Sequence, residues 1–373
     1  MRKKDTLGQI AIAVFSVAII IEMWLIIGNG QLLSVVMDIW EEGKTLVGGI
    51  TENNATSNIL MKDDSCEYSD SDQKYYGKVL GSEISRDRIV AVTFVDTLDA
   101  VSDNAWDVSK NQNGTVMAWT EPNVSNAPVV DLFIGAEGKI AAEDCSGLFQ
   151  GFHNVKTIEF NDCFDTSQVT NMDGMFSECE SLIQLDVSNF DTSQVTHMKA
   201  MFNQCRSLTQ LDVSNFDTSQ VTDTGNMFCG CISLRQLDMG DFDTSRVADM
   251  GGMFRRCESL TQLDVSQFDT SRVVDMSVMF QECESLTQLD VSGFDTSQVT
   301  NMSGMFNGCR SLRQLDVDNF DTSQVTAMKG MFCDCKSLVE LDVSSFDTSR
   351  VTNMLWMFEG CGVTDEEANF RMQ

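Results

Sequence analysis

Residues 285–309 have the sequence SLTQLDVSGFDTSQVTNMSGMFNGC, and close copies of this stretch recur along the C-terminal half of the chain. A cysteine marks the same point of each copy, always 26 residues after the previous one. These cysteines are at positions 179, 205, 231, 257, 283, 309, 335 and 361. A repeat of about 20 to 50 residues is typical of proteins in which each unit buries its apolar face only against its neighbours. The sequence therefore predicts a stack of similar coils.

The order of apolar residues within one copy predicts the shape of a coil. Residues 169–179 carry apolar side chains at spacings of three and four, which suits a short helix or a pair of tight turns. Leu185 and Val187 alternate with polar residues, as in a short strand. Residues 182–190 also match the first half of the leucine-rich repeat frame. We therefore predict an α/β solenoid, leucine-rich-repeat-like, with about nine 26-residue coils, each containing a strand and a short helix.

Two of the copies carry a resemblance to a known family. SLTQLDVSNFDTSQVT (residues 207–222) and the stretch quoted first resemble the 26-residue repeat of bacterial surface proteins, the BspA-like leucine-rich repeat family, over about residues 143–361. AWDVSKNQNGTVMAW (105–119) and LFIGAEGKIAAEDCSGLF (132–149) are similar to the region that often precedes those repeats. The resemblance implies a surface-displayed, non-enzymatic protein used for attachment to other cells or matrix. It supplies no site residues.

The charge of the chain limits the kinds of partner that it can bind. It has 25 basic and 56 acidic residues, which gives a formal net charge of −31. Phosphate backbones and anionic lipid headgroups need clustered Lys and Arg, and this surface repels them. We therefore expect no nucleic acid partner and favour cationic proteins, cations or neutral polymers.

The N-terminal residues have the features of a membrane anchor. Basic residues at positions 2–4 precede residues 10–27, which are apolar apart from Ser16 and Glu22. At about 1.5 Å per residue this segment spans ~27 Å, close to the ~30 Å hydrocarbon core, and its basic end is expected in the cytoplasm. Because a carboxylate within the membrane is costly, we expect Glu22 to be protonated or to face another helix. The alternatives are a cleaved signal peptide and a pilin-like leader cut after Gly8.

The chain between this anchor and the repeats changes character twice. Residues 28–73 are largely polar and predict a stalk, whereas residues 89–95, 116–120 and 129–134 have strand patterns, with Asn113-Gly114 in a turn. A β-rich unit at this place is expected to cover the open apolar end of the first coil. The predicted domains are a cytoplasmic tail (1–6), a transmembrane anchor (7–27), a stalk or linker (28–73), a β-rich N-terminal cap (74–148), the solenoid (149–361) and a C-terminal cap or tail (362–373).

The cysteine ladder is predicted to consist of buried, reduced thiols. Equivalent side chains of adjacent coils point in parallel, which disfavours disulfides although the rungs are about 5 Å apart. Metal sites need Cys-x-x-Cys pairs that converge on one point, and the chain has none. Two additional thiols, Cys229 and Cys333, lie four repeats apart and are interpreted as incidental. We expect the ladder thiols to pack as small apolar side chains.

A Phe-Asp-Thr-Ser motif recurs at the same step. Its aspartates are Asp165, Asp191, Asp217, Asp243, Asp269, Asp295, Asp321 and Asp347. The letters resemble an aspartic-protease loop, but copies in one register do not place two carboxylates face to face. We expect corners in which the carboxylate accepts backbone N–H bonds. Calcium binding is the alternative, although the glycine-rich nonapeptide of calcium-binding β-rolls is absent.

The strand of each coil is expected to point polar side chains outward as an acidic face. Like charges about 5 Å apart repel unless water, cations or a basic partner screen them, so a regular polymer or a cationic protein is a candidate partner. A solvated face is the alternative. Trp356 replaces the small or polar residues of other copies and is interpreted as an end-cap or partner contact. The candidate interaction face comprises Gln184, Asp186, Ser188, Gln210, Asp212, Ser214, Gln262, Asp264, Ser266, Gln288, Asp290, Ser292 and Trp356.

No catalytic or metal-ligand set can be assembled from the sequence. His153 and His197 are the two histidines of the chain, and neither has a repeated or paired context. We therefore expect a non-enzyme without cofactor or metal, anchored in the cell membrane by a single pass, whose extracellular repeats recognise a protein, matrix or cell-surface ligand. The alternative is a structural spacer or a self-assembling, pilus-like surface component. An intracellular scaffold would require a different interpretation of the apolar segment.

Overall fold

Parallel contacts at a constant step join the coils of the repeat region. The computed structural model describes residues 58–71, 74–123 and 128–370. Single-residue parallel bridges link Asn171 to His197, and the series continues at steps of 26 residues to Asn353. This is the step predicted from the cysteines. The coils therefore lie side by side in sequence order.

The segment that leads to each ladder cysteine consists of tight turns. Alternate N–H groups donate to carbonyl oxygens of the next coil, from Met172 to His197 at 2.9 Å and from Phe176 to Met201 at 2.8 Å. An α-helix would use these N–H groups for bonds within its own segment. Two positions of each such segment also have positive φ, for example Gly174 at 60°. The predicted short helix, and with it the α/β class, is therefore wrong for the described residues, whose one helix is the 3-10 turn Arg86–Arg88.

A column of phenylalanine rings runs through the coils. Nine rings, one from each coil between Phe149 and Phe358, stack with centroids 5.5–5.7 Å apart. Aromatic pairs of this kind contribute about 0.5 to 1.5 kcal/mol beyond the area that they bury. Methionine, cysteine, leucine and valine at fixed places complete the buried core. The distance between successive rings is larger than the ~4.8 Å between paired β-strands. This agrees with the sparse strand pairing on the other side of the coils.

The strands lie mainly in the N-terminal cap. In chain order they are β1 (Cys66–Ser69), β2 (Lys74–Gly77), β3 (Ile89–Val95), β4 (Trp106–Asp107), β5 (Val116–Pro122), β6 (Val130–Ala136), β7 (Ile140–Ala141), β8 (Thr157–Glu159), β9 (Phe164–Asp165), β10 (Gln210–Asp212) and β11 (Gln236–Asp238). Five of them form one sheet in the order β4-β5-β6-β3-β8. The three predicted strands are confirmed as β3, β5 and β6. Because β8 belongs to the first coil, the cap sheet continues directly into the repeats.

The coils carry little regular strand structure. β10 pairs with β11 in parallel, residue for residue, and the other two-stranded sheets are β1-β2 and β7-β9. One further bridge on this side of the coils joins Gln314 to Glu340. The backbone bonds that hold the coils together are therefore concentrated in the turn segments.

A buried ion pair fixes the cap to the first coil. The guanidinium of Arg86 lies 2.7 Å from Asp63, and both side chains are 1% exposed. The same guanidinium donates to the carbonyl oxygens of Gly147 at 3.2 Å and of Gln150. Residues 58–71, which the sequence assigned to the stalk, therefore pack in the cap instead.

The N-terminal predictions fall mostly outside the described part of the chain. The tail over 1–6, the anchor over 7–27 and the stalk up to residue 57 lie there. In the part that the structure describes, no helix has the length and apolar character needed to cross a bilayer.

The C-terminal residues cover the strand side of the last coil. Val343 donates its N–H to the carbonyl oxygen of Ala368 at 3.0 Å, as Val213 does to Asp238 one coil further along. Thr364 and Glu367 exchange side-chain and backbone hydrogen bonds, which is a capping-box arrangement. The tail thus supplies one acceptor that a further coil would otherwise provide.

Buried threonines tie the corners of neighbouring coils. Thr244 is 1% exposed, and its hydroxyl donates to the carbonyl oxygen of Asp269 in the next coil at 2.9 Å. The same bond recurs from Thr166 to Thr322. Each motif also forms its own turn, as when Asp191 accepts the N–H of Ser193 at 3.0 Å. The predicted corner role of these motifs is confirmed.

The ladder cysteines are free, and all of them except the half-buried Cys361 are buried. All thirteen cysteines lie in the described residues, and none forms a disulfide. Within the ladder, thiols donate to the phenylalanine carbonyl of the preceding coil, for example Cys205 to Phe176 at 3.2 Å. Burial raises the pKa of Cys283 to about 12. The thiols therefore stay protonated and unreactive near neutral pH.

We expect Thr244→Val to lower the free energy of unfolding by about 1 to 2 kcal/mol, because it removes the bond of a buried hydroxyl and leaves the carbonyl of Asp269 without that donor. Urea unfolding followed by circular dichroism measures the change. The matched control is Thr222→Val, because Thr222 is exposed and its hydroxyl bond is long, at 3.3 Å. Equal losses at the two positions would contradict a structural role for the buried hydroxyl.

We also expect alkylation of the folded protein to label three partly exposed cysteines, Cys66, Cys333 and Cys361, well before the buried cysteines of the ladder. Peptide mass mapping identifies the labelled positions, and the same reaction in guanidinium chloride provides full labelling as the control. Disulfide-linked peptides from adjacent coils, or early labelling of Cys257, would overturn the assignment of the ladder as buried thiols.

Candidate interaction face

The polar residues of the predicted face line one shallow groove. We call the outward positions of the Gln-Leu-Asp segments in successive coils the strand face. The groove is formed by residues 184–186, 209–212, 235–238, 261–264 and 288–290 from five coils. The glutamines and aspartates point to solvent, while the leucine between them is buried or half-buried. Eight of the thirteen predicted residues, the glutamines and aspartates, thus line one groove. The four predicted serines follow these segments outside the groove lining, and Ser214 is half-buried.

Local hydrogen bonds keep the carboxylates of the strand face ionised. The hydroxyl of Ser214 donates to Asp212 at 2.6 Å, and its backbone N–H donates at 2.9 Å. These bonds from the serine lower the pKa of Asp212. Serines at the same place lower the pKa of Asp186, Asp264 and Asp290. The face therefore presents fixed negative charges at the coil step across the neutral pH range.

The middle one of the five coils that form the groove contributes residues that the sequence analysis left out. Arg235, Gln236 and Asp238 line the middle of the groove, and Arg235 places a cation among the carboxylates. The residue immediately before each Gln-Leu-Asp segment differs between copies, so a comparison of the copies at this position could have identified Arg235. Gly240 replaces the usual serine and borders a small recess with Phe242. A Cβ at Gly240 would lie 2.8 Å from the carbonyl oxygen of Ser214, so the backbones approach closely there.

Trp356 is separate from the groove. It lies in the last turn segment, 60% exposed, with its ring 4.7 Å from the ammonium of Lys329. Its φ of 63° is in the left-handed region. The tail residues 362–370 provide the end cap, so the structure does not use this ring to close the stack.

A second acidic ladder runs along the turn segments. Asp223, Asp249 and Asp275 follow one another in the bridge series, and Lys199 lies 3.2 Å from the carboxylate of Asp223. Burial, together with the neighbouring carboxylates, raises the pKa of Asp249. Among the residues described, no group of three or more His, Cys, Asp or Glu side chains is arranged to hold a metal ion.

The histidines have different structural settings. His153 is buried where the cap meets the coils, with its ring nitrogens 2.9 Å from the carbonyl oxygen of Tyr75 and 3.2 Å from that of Glu178. His197 is exposed, and its Nδ1 lies 2.8 Å from the hydroxyl of Thr196. The structure therefore does not bring the two histidines together.

Comparison with known proteins identifies the repeats. A family described as "Mycoplasma protein of unknown function, DUF285" matches residues 143–263, 210–294, 231–315 and 287–370. A crystal structure of a leucine rich cell surface protein from Faecalibacterium prausnitzii A2-165 aligns with 79% of this chain and 95% of that chain, at 12% identity and a TM-score of 0.28. No curated protein matches the chain. Because the matched segments together extend over residues 143–370, more than half of the chain, this protein belongs to the DUF285 repeat family.

Proposed function

We propose that this chain is a BspA-like surface protein that binds a protein or matrix ligand through the strand face. The observation that carries the proposal is the groove, in which Asp212, Asp238 and Asp264 repeat at a constant step beside glutamine amides. Such an array suits a cationic, regularly built partner, because each charge of the partner meets an equivalent site. Recognition of this kind needs no catalytic group, cofactor or metal. We therefore propose a binding protein that is not an enzyme.

We also propose that the repeats lie outside the cell and that residues 7–27 anchor the chain by a single pass. The support is the apolar segment, whose basic flank favours the cytoplasm. The acidic surface agrees with a role away from nucleic acids and anionic headgroups.

A structural role is the second candidate function. Leu355 and Trp356 are 63% and 60% exposed at the end of the last coil, and large exposed apolar side chains favour association. In that case the stack acts as a spacer or as a self-assembling component of a surface array. Sedimentation of the full-length chain at several concentrations separates the two candidates, because only the second requires self-association.

We expect replacement of Asp212, Asp238 and Asp264 by Asn to weaken binding of a short oligolysine about tenfold, as estimated for three exposed charge contacts. Asn can still accept the N–H bond of each turn, so the fold is kept. Titration calorimetry of the full-length chain at increasing salt measures the affinity.

The matched control replaces Asp223, Asp249 and Asp275 by Asn, which removes the same number of charges from the other ladder. Asn171 and Asn301 occupy that ladder naturally, so the substitution is compatible with the turn. If both triple variants lose the same affinity, binding reflects the total charge, and the strand face is not the site.

We expect protease treatment of intact cells to remove peptides of residues 149–361 while residues 1–27 stay with the membrane. Peptide mass mapping before and after treatment provides the measurement, with a cytoplasmic protein as the control for intact cells and permeabilised cells as the control for cleavage. Complete protection of the repeats in intact cells would rule out the extracellular location.

A further inference from the structure

The two ends of the coil stack differ in hydrogen-bonding character. Along the turn segments, alternate N–H groups donate to the following coil, and carbonyl oxygens accept from the preceding coil. At the first coil, Arg86 donates to the carbonyl oxygen of Gln150, which belongs to this row, and the carbonyl of Tyr75 in the cap lies close against Gly151, so the cap covers that end. The last turn segment, residues 353–360, presents the opposite character, and we call it the C-terminal edge.

The C-terminal edge carries a row of N–H donors. In the preceding coil, N–H groups at residues 328, 330, 332 and 334 donate to carbonyl oxygens of this segment at 2.8–2.9 Å. The equivalent donors of the edge belong to Met354, Trp356, Phe358 and Gly360. Within the described residues no acceptor meets these four N–H groups. They are arranged as in every earlier coil, where carbonyl oxygens of a neighbouring segment satisfy them.

The side chains of the edge differ from those of the earlier coils. Leu355 is 63% exposed and Trp356 is 60% exposed. The copies before them have Asp, Lys, Gly or Ser at the first place and Ala, Asn, Gly or Val at the second. The left-handed φ of 63° at Trp356 is unfavourable for a bulky residue. The edge therefore combines free donors with an exposed apolar surface.

We propose that the C-terminal edge docks a segment of a partner protein that adopts the turn backbone of a coil. Carbonyl oxygens of that segment accept from the four N–H groups, and an apolar side chain packs against Leu355 and Trp356. This arrangement continues the coil-to-coil interface that the chain already repeats, and like strand addition it obtains its affinity from main-chain hydrogen bonds. A second copy of this chain is unsuitable, because the carbonyl end of its own stack is closed by Arg86 and the cap. The proposal does not depend on the strand face.

Hydrogen exchange of the full-length chain, followed by mass spectrometry, tests the proposal. The probe is a synthetic peptide of residues 300–310, TNMSGMFNGSR, with Ser in place of the cysteine, because this segment accepts the same bonds from residues 276–282 within the stack. The expected result is rapid exchange of the N–H groups of Met354, Trp356, Phe358 and Gly360 in the free chain, and protection of these groups alone when the peptide is added.

Two substitutions make the test specific. Trp356→Gly removes the ring at a position that Gly252, Gly304 and Gly330 occupy in other coils. We expect this variant to bind the peptide about thirtyfold more weakly, as for the loss of a central tryptophan contact. Val278→Gly makes the same type of change in an internal coil whose donors are occupied, and we expect peptide binding to be unchanged. Thermal unfolding verifies that both variants fold.

Three results would overturn the proposal. Slow exchange of the edge in the free chain would mean that another part of this chain covers it. Protection that appears without peptide and rises with protein concentration would assign the edge to a second copy. Absence of protection at saturating peptide, or protection unaffected by Trp356→Gly, would mean that the edge is not a docking site.

Discussion

The fold depends on hydrogen bonds that leave each turn segment and enter the next coil. Because the N–H groups of one segment must point the same way, the backbone turns through left-handed conformations at two positions in each coil, such as Gly174 and Glu178. Left-handed backbone costs a non-glycine residue about 1 to 2 kcal/mol. The stack accepts this cost at several places, Val278 among them, because every such segment gains four bonds to its neighbour. The phenylalanine column then fills the space that the turns enclose.

Because these hydrogen bonds all run in one direction, one end of the stack has carbonyl oxygens that no further coil supplies with donors, and the other end has N–H groups that no further coil supplies with acceptors. A carbonyl end needs donors, and Arg86 provides one to Gln150, with Asp63 neutralising its charge. The ion pair is fully buried, so removing either partner would leave an unpaired charge in the core. An N–H end needs acceptors, and Ala368 supplies one on the strand side of the last coil. The same directional bonding therefore requires a cationic cap at one end and an acceptor at the other.

The sequence contained enough information for the repeat and for much of the cap. The cysteine period fixed the coil step, and alternating apolar residues located β3, β5 and β6 to within two residues at their ends. The turn segments were misassigned because spacings of three and four fit a helix and a pair of turns equally well. Glycines that mark left-handed backbone, such as Gly174 and Gly230, are replaced by Ala200 or Glu178 in other copies, which hid the signal. Arg86 had no periodic context, so its burial could not be predicted.

The strand face was predicted in outline, because outward and inward residues alternate with the period of a strand. The groove itself was not, since its centre at Arg235 and Asp238 depends on the spatial order of five coils. Long-range placement of this kind has no local signature in the sequence. A single copy therefore predicts which side chains are exposed, whereas only the assembled stack determines which of them form one surface.

The aspartates of the strand face can be compared with those of the turn segments to distinguish residues required for the turn from residues that determine the charge of the surface. Asn accepts the N–H bond of such a turn as Asp does, and the ladder of the turn segments contains Asn171, His197 and Asp223 at equivalent places. The strand face instead has Asp in every copy from Asp186 to Asp342, although neighbouring carboxylates repel one another. Turn formation does not require that charge, because Asn would remove the repulsion and keep the bond. The uniform charge of the strand face is therefore what the proposed recognition of a cationic partner expects, and the turn does not demand it.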